Sequence, residues 1–126
     1  MTRSGKEVFR RAMEDSYDVY HFHDPELLPV GLRLKRHGKC VIYDAHEDYP
    51  VYFKYKQSFS KPLRLLFSRT IDIIERYATP KFDAVVTVTP TIHDKFARLN
   101  SNTFTVCNYP LLGEAAREEP PDYTIR

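Results

Sequence analysis

Glycine is scarce in this sequence. Of 126 residues only Gly5, Gly31, Gly38 and Gly113 are glycine, about half the usual ~7%. Neither G-x-G-x-x-G nor G-x-x-x-x-G-K-[ST] can be assembled from them, which excludes the common Gly-rich phosphate cradles within the chain. Cysteine is scarcer still. Cys40 and Cys107 lie in short apolar runs and read as buried free thiols of a reducing compartment. They do not make a disulfide framework or a Cys-rich metal motif. No apolar run approaches the ~18–20 residues needed to span a bilayer. The first residues lead into no apolar h-region, so no secretory signal is expected. Charge of one sign is also lacking. The 19 basic and 17 acidic residues leave a net +2, too little for a domain that binds nucleic acid by charge alone. Length bounds the chain to one domain, and a cytoplasmic setting is expected.

What is present is an alternation of periods. Residues 4–15 carry Val8, Phe9, Ala12 and Met13 at helical spacing. Residues 17–22 read as a buried strand. Asp24-Pro25 reads as a helix start with Asp24 as cap, since Pro needs no N–H in a first turn. Pro29 then requires a bend, or a regular helix that begins near it. Gly38 stops that helix. Residues 40–43 form a second strand, and residues 45–60 show no clean period. From Ser60 a long helix is predicted, with Leu63, Leu66, Phe67, Thr70, Ile74, Tyr77 and Ala78 as its buried stripe. Residues 84–88 form a third strand, Thr89-Pro90 caps another helix, and residues 104–107 form a fourth strand. Apolar strands separated by helices predict an α/β fold: a Rossmann-like parallel sheet of about four strands with flanking helices on both faces. Residues 1–112 make the domain. Residues 113–126, with four acids, two bases and Pro120-Pro121, read as a linker.

In such sheets ligands bind beyond the carboxyl ends of the strands. The first strand exits through His21-Phe22-His23-Asp24, the second through Asp44-Ala45-His46-Glu47-Asp48, and the third through Thr89-Pro90. The substrate-binding candidates are His23, Asp24, Asp44, His46 and Thr89. His21 reads as a satisfied buried polar group, set apart from His23 by alternation around Phe22. A metal site from His23, Asp24, His46 and Glu47 matches no compact ligand spacing, so no metal is expected. No G-x-S-x-G elbow supports a hydrolase triad.

Residues 50–69 hold Lys54, Lys56, Lys61, Arg64 and Arg69 with no acid, interleaved with Tyr52, Phe53, Tyr55 and Phe59. Lys54, Lys56, Lys61 and Arg64 are candidates for a patch that meets an anionic membrane surface or an acceptor. The alternative is that the aromatics pack the segment down while the lysines are solvated. No nucleic-acid partner is expected, because the rest of the chain is nearly neutral.

Four segments together resemble a known pattern. Residues 17–31 (YDVYHFHDPELLPVG), 38–48 (GKCVIYDAHED), 82–90 (FDAVVTVTP) and 106–110 (VCNYP) are similar, in the same order, to the N-terminal domain of glycosyltransferase family 4. The resemblance spans roughly residues 6–112. It implies one half of a GT-B fold, in which two Rossmann-like domains enclose a cleft. It also implies sugar transfer from a nucleotide-sugar to a saccharide or lipid-linked acceptor, often in surface polysaccharide synthesis, with no cofactor. By the same resemblance, strands that precede this region and a donor-binding second domain lie outside the chain. The chain is then an acceptor-side part, inactive alone, with a second chain as the partner that carries the donor domain. A non-catalytic partner subunit and a non-functional fragment are the alternatives. The resemblance sets His23 facing the cleft, with Asp24 orienting it. Asp44 and His46 fall near the acceptor, and Thr89 at a helix start beside the cleft. A location at the inner face of the membrane would follow from a lipid-linked acceptor.

Overall fold

The computed structural model describes residues 3–15 and 17–107. Helix α1 spans Arg3–Asp15, and strand β1 spans Val19–Phe22. A 3-10 turn, Pro25–Leu27, leads into α2 (Leu28–Arg36). Strand β2 (Cys40–Ala45) is followed by a short α3 (Tyr49–Tyr55) and a long α4 (Lys61–Ala78). A second 3-10 turn, Thr79–Lys81, precedes β3 (Ala84–Thr87), α5 (Pro90–Ala97) and β4 (Thr103–Thr105). The four strands pair in parallel in chain order, β1-β2-β3-β4. The predicted linker over residues 113–126 lies outside the described residues.

Crossovers that are right-handed and all advance in one direction put their helices on one face of the sheet. The burial pattern agrees. Phe22, Val41, Tyr43 and Val85 are buried, and with Leu28, Leu34 and Phe96 they form the core under the helices. Helix α1 lies on this face too, because the Tyr20 hydroxyl donates to the Ala12 carbonyl at 2.5 Å. The opposite face carries Val19, Ile42, Val86 and Phe104, of which Val19 and Phe104 are exposed. The expectation of helices on both faces therefore fails for the described residues. Strand order never reverses, so no crossover reaches the second face.

Local chemistry explains the element ends. The two Pro-led starts differ. The Thr89 hydroxyl accepts from the Ile92 amide at 3.3 Å and caps α5. The Asp24 carboxylate makes no cap bond; only its backbone carbonyl accepts, from Leu27 at 2.9 Å. The expected Asp24 cap is thus corrected: a 3-10 turn forms at Pro25, and the regular helix starts at Leu28 with Pro29 in its first turn. Gly38 stops α2 with φ of +74°, a backbone that costs glycine little. Gly31 meets a different demand, since a Cβ there would stand 2.7 Å from the Phe22 ring.

Helix α3 escaped the sequence reading because its seven residues are too few to establish a period. Asp48 caps it, and Tyr49 and Pro50 fill its first turn. Helix α4 forms where predicted but turns another face inward. Glu75 and Ala78 are buried, whereas Leu63, Leu66, Phe67 and Tyr77 are exposed. The buried stripe is rotated by roughly a quarter turn from the apolar one, at 100° per residue. On the inward face Glu75 accepts from Lys95 of α5 at 2.7 Å, beside Ala78 and the half-buried Ile71 and Ile74. The cysteines also depart from expectation. Both are free, but Cys40 is half-buried and Cys107 is exposed.

Candidate functional site

Strand pairing brings the first two exits together. His21 stands opposite Ile42, and Phe22 opposite Tyr43. Alternate residues share a face, so His21 and Asp44 fall on the open face of the sheet, with His23 and His46 continuing the same parity just past the strand ends. The expected separation of His21 from His23 is corrected by that periodicity.

Asp44 is the centre of this group. It is buried, and its Oδ2 lies 3.1 Å from His21 Nε2 and 3.4 Å from His46 Nε2. Its Oδ1 has no hydrogen-bond partner among the described residues. The His23 ring packs edge-on against the His46 ring, with centroids 5.7 Å apart. His23 Nε2 also lies 4.0 Å from Asp24 Oδ2. The His23 and Asp24 side chains are 63% and 58% exposed, so both present their polar atoms to solvent at the carboxyl edge. A carboxylate only accepts hydrogen bonds, so His21 Nε2 acts as the donor to Asp44, while His46 Nε2 lies beside the same oxygen without a hydrogen bond. In the neutral His21 ring this leaves Nδ1 as an acceptor. The group therefore combines the carboxylate acceptors of Asp44 and Asp24 with imidazole nitrogens that donate or accept according to tautomer.

His21 was not expected here. Its side chain is 53% exposed and bonded to Asp44, not sealed in the core. Period-two spacing from His23 is the signal that finds it. Thr89 stands at the exit of β3, and its hydroxyl is engaged in capping α5. The basic candidates lie apart on the α3–α4 hairpin. Lys54 and Lys61 are exposed, while Lys56 and Arg64 are half-buried. The Lys56 ammonium lies 5.0 to 5.7 Å from the ring centroids of Tyr52, Phe53 and Phe59.

A buried ionic network ties the second exit to the helices. Lys95 Nζ lies 2.9 Å from Asp48 Oδ1 and 2.7 Å from Glu75 Oε2, and the Tyr43 hydroxyl reaches Glu75 at 3.4 Å. Burial pushes the Glu75 carboxyl above its ordinary value, against the pull of Lys95. Burial, with Glu47 and Asp24 nearby, likewise raises the Tyr49 hydroxyl, which stays protonated as a donor. Among the described residues no group of three or more His, Cys, Asp or Glu is set to hold a metal ion. No helix among them is long and apolar enough to cross a membrane.

The family model of Glycosyltransferase Family 4 matches residues 2–108. The chain belongs to glycosyltransferase family 4. No curated protein matches it. Its four-stranded parallel sheet with flanking helices is the Rossmann-like α/β architecture of a glycosyltransferase domain. Within this family-4 domain, His21, His23, Asp44 and His46 are gathered at the carboxyl edge of β1 and β2, with Asp24 beside them.

Proposed function

We propose that this domain takes part in sugar transfer from a nucleotide-sugar to a saccharide or lipid-linked acceptor, and that it forms the acceptor side of the reaction. The observation that carries the reading is the convergence of His21, His23 and His46 around Asp44 at the carboxyl edge of the sheet, the edge at which α/β sheets bind ligands. In this reading His23 and Asp24 contact the reacting sugar. Asp44 holds His21 and His46 in orientation, and Thr89 borders the cleft. The donor is bound by a second domain, in this chain's parent or in a partner chain, and the domain alone does not complete the transfer. The setting is surface polysaccharide synthesis.

The test is labelled-sugar transfer with the donor-binding domain supplied. His23→Ala is expected to lower kcat/KM by ~10-fold or more, equivalent to about 1.4 kcal/mol of transition-state stabilisation. Unchanged kinetics would remove His23 from the reaction.

Peripheral contact with the inner face of the membrane belongs to the same reading. Lys54, Lys61, Tyr52, Tyr55, Leu65 and Leu66 are exposed on the hairpin, and a basic surface with apolar side chains suits anionic lipid headgroups. Co-sedimentation is expected with anionic vesicles and not with neutral ones. Equal behaviour towards both would exclude the contact.

A further inference from the structure

A cavity of about 660 Å³ opens beside Asp24. Three segments wall it, and their chemistry is segregated. The β1 exit contributes Asp24 and Glu26 with Pro25 and Pro29. Helix α4 contributes Phe67, Ile71 and Ile74, which recur at helical spacing on one face. Helix α3 and the loop after it contribute Tyr49, Phe53, Lys56 and Phe59. One wall is therefore acidic, one aliphatic and one aromatic with a cation at its end.

The acidic wall bonds no backbone amide at a helix start, and its one ion-pair distance among the described residues is Asp24 Oδ2 to His23 Nε2 at 4.0 Å. The Asp24 carboxylate caps no helix, and Glu26 is exposed. The Tyr49 hydroxyl is kept protonated by its burial and by the acids near it. The apolar walls are half-open. Phe53, Phe59, Ile71 and Ile74 are only partly buried and Phe67 is exposed, so a hydrocarbon entering the cavity would remove apolar surface from water on both sides. A ligand that is hydrocarbon throughout would desolvate two carboxylates without compensation. A sugar alone would leave the α4 wall unused. The occupant that satisfies both halves is an amphiphile with a hydroxylated head joined to an apolar chain. Its hydroxyls donate to Asp24 and Glu26, and its chain lies against Phe67, Ile71 and Ile74.

We infer that this cavity binds the head-to-chain junction of a glycolipid-like amphiphile. Its role as an acceptor subsite rests on the transferase reading; the binding itself does not.

The experiment uses the full 126-residue chain and octyl hexopyranosides (β-glucoside and β-galactoside) below their micelle concentrations, followed by calorimetry or ligand-observed NMR. At least one octyl glycoside is expected to bind saturably at one site. The matching methyl glycoside, which lacks the chain, is expected to bind about tenfold more weakly or less, a difference of about 1.4 kcal/mol. Asp24→Asn with Glu26→Gln, both at exposed side chains, should weaken the octyl glycoside by a similar factor. Phe67→Glu should abolish saturable binding, with an unchanged circular dichroism spectrum as the folding control. Equal binding of methyl and octyl glycosides, equal binding by all variants, or uptake that never saturates would each overturn the inference. A failed transfer assay with this binding pattern intact would count against the transferase reading alone. Retained transfer with no octyl glycoside binding would count against the cavity alone.

Discussion

Asp44 illustrates how a single residue organises a site that its neighbours only populate. A buried carboxylate is costly unless it is hydrogen-bonded, and here the His21 imidazole supplies the bond, with His46 Nε2 3.4 Å from the same oxygen. Asp83 does comparable work for the scaffold. It accepts from Lys35 Nζ at 2.8 Å and from the Val41 amide at 2.6 Å, fastening α2 to the sheet. Burial alone would raise its carboxyl, but the Lys35 ammonium and the Val41 amide outweigh this and hold it below its ordinary value. A lowered folded-state value contributes stability above the unfolded value, and that stability is lost as pH falls. Asp83→Asn is therefore expected to cost about 1 kcal/mol or less at pH 7, because the carboxylate is more than a third exposed. The gap from wild type should shrink as the pH falls below about 4. Urea unfolding of both proteins at several pH values checks this; a gap that widens in acid would contradict it. His23, Asp24, Asp44 and His46 were legible in the sequence because each follows an apolar strand. His21 and Glu75 were not. Parity was misjudged for the first, and the second was one acid among many in a helix, with a partner, Lys95, 20 residues away.

At the scale of elements, strands were legible where apolar runs were continuous, and helices where caps and glycine marked their ends. The facing of α4 was not legible, since the apolar stripe and the buried stripe differ. The sequence pattern carries Leu63, Leu66 and Tyr77, while the side that packs carries Glu75, bonded to Lys95, which also bonds Asp48. The two Pro-led starts yield a contrast that tests the capping account. Thr89→Ala should destabilise the fold by about 1 kcal/mol, the ordinary cost of a lost cap. Asp24→Ala should leave stability within about 0.5 kcal/mol of wild type, as at a surface position without a special role. Thermal or urea unfolding measures both. A large loss at Asp24 would return it to a structural role and remove it from the candidate site.

At the scale of the molecule, the described residues form a one-sided sheet. Helices cover one face, and the other carries Val19, Ile42, Val86 and Phe104 with the histidine group at its carboxyl end. The scarcity of glycine takes on meaning against that arrangement. No Gly-rich phosphate cradle can be assembled from the chain's four glycines, and among the described residues the first three strand exits carry histidines, carboxylates and a hydroxyl, the chemistry on which the proposed acceptor role rests. The central claim is that this edge meets the sugar. The most direct measurement is long-range 1H–15N NMR of the imidazoles, in the chain together with its donor-binding domain, as nucleotide-sugar and acceptor are added. The chain has five histidines; His37 caps the far end of α2, whereas His93 sits in the first turn of α5, its amide bonded to the Thr89 carbonyl. The account predicts that His21, His23 and His46 shift while His37 stays fixed. Turnover with the three edge histidines unmoved would contradict it.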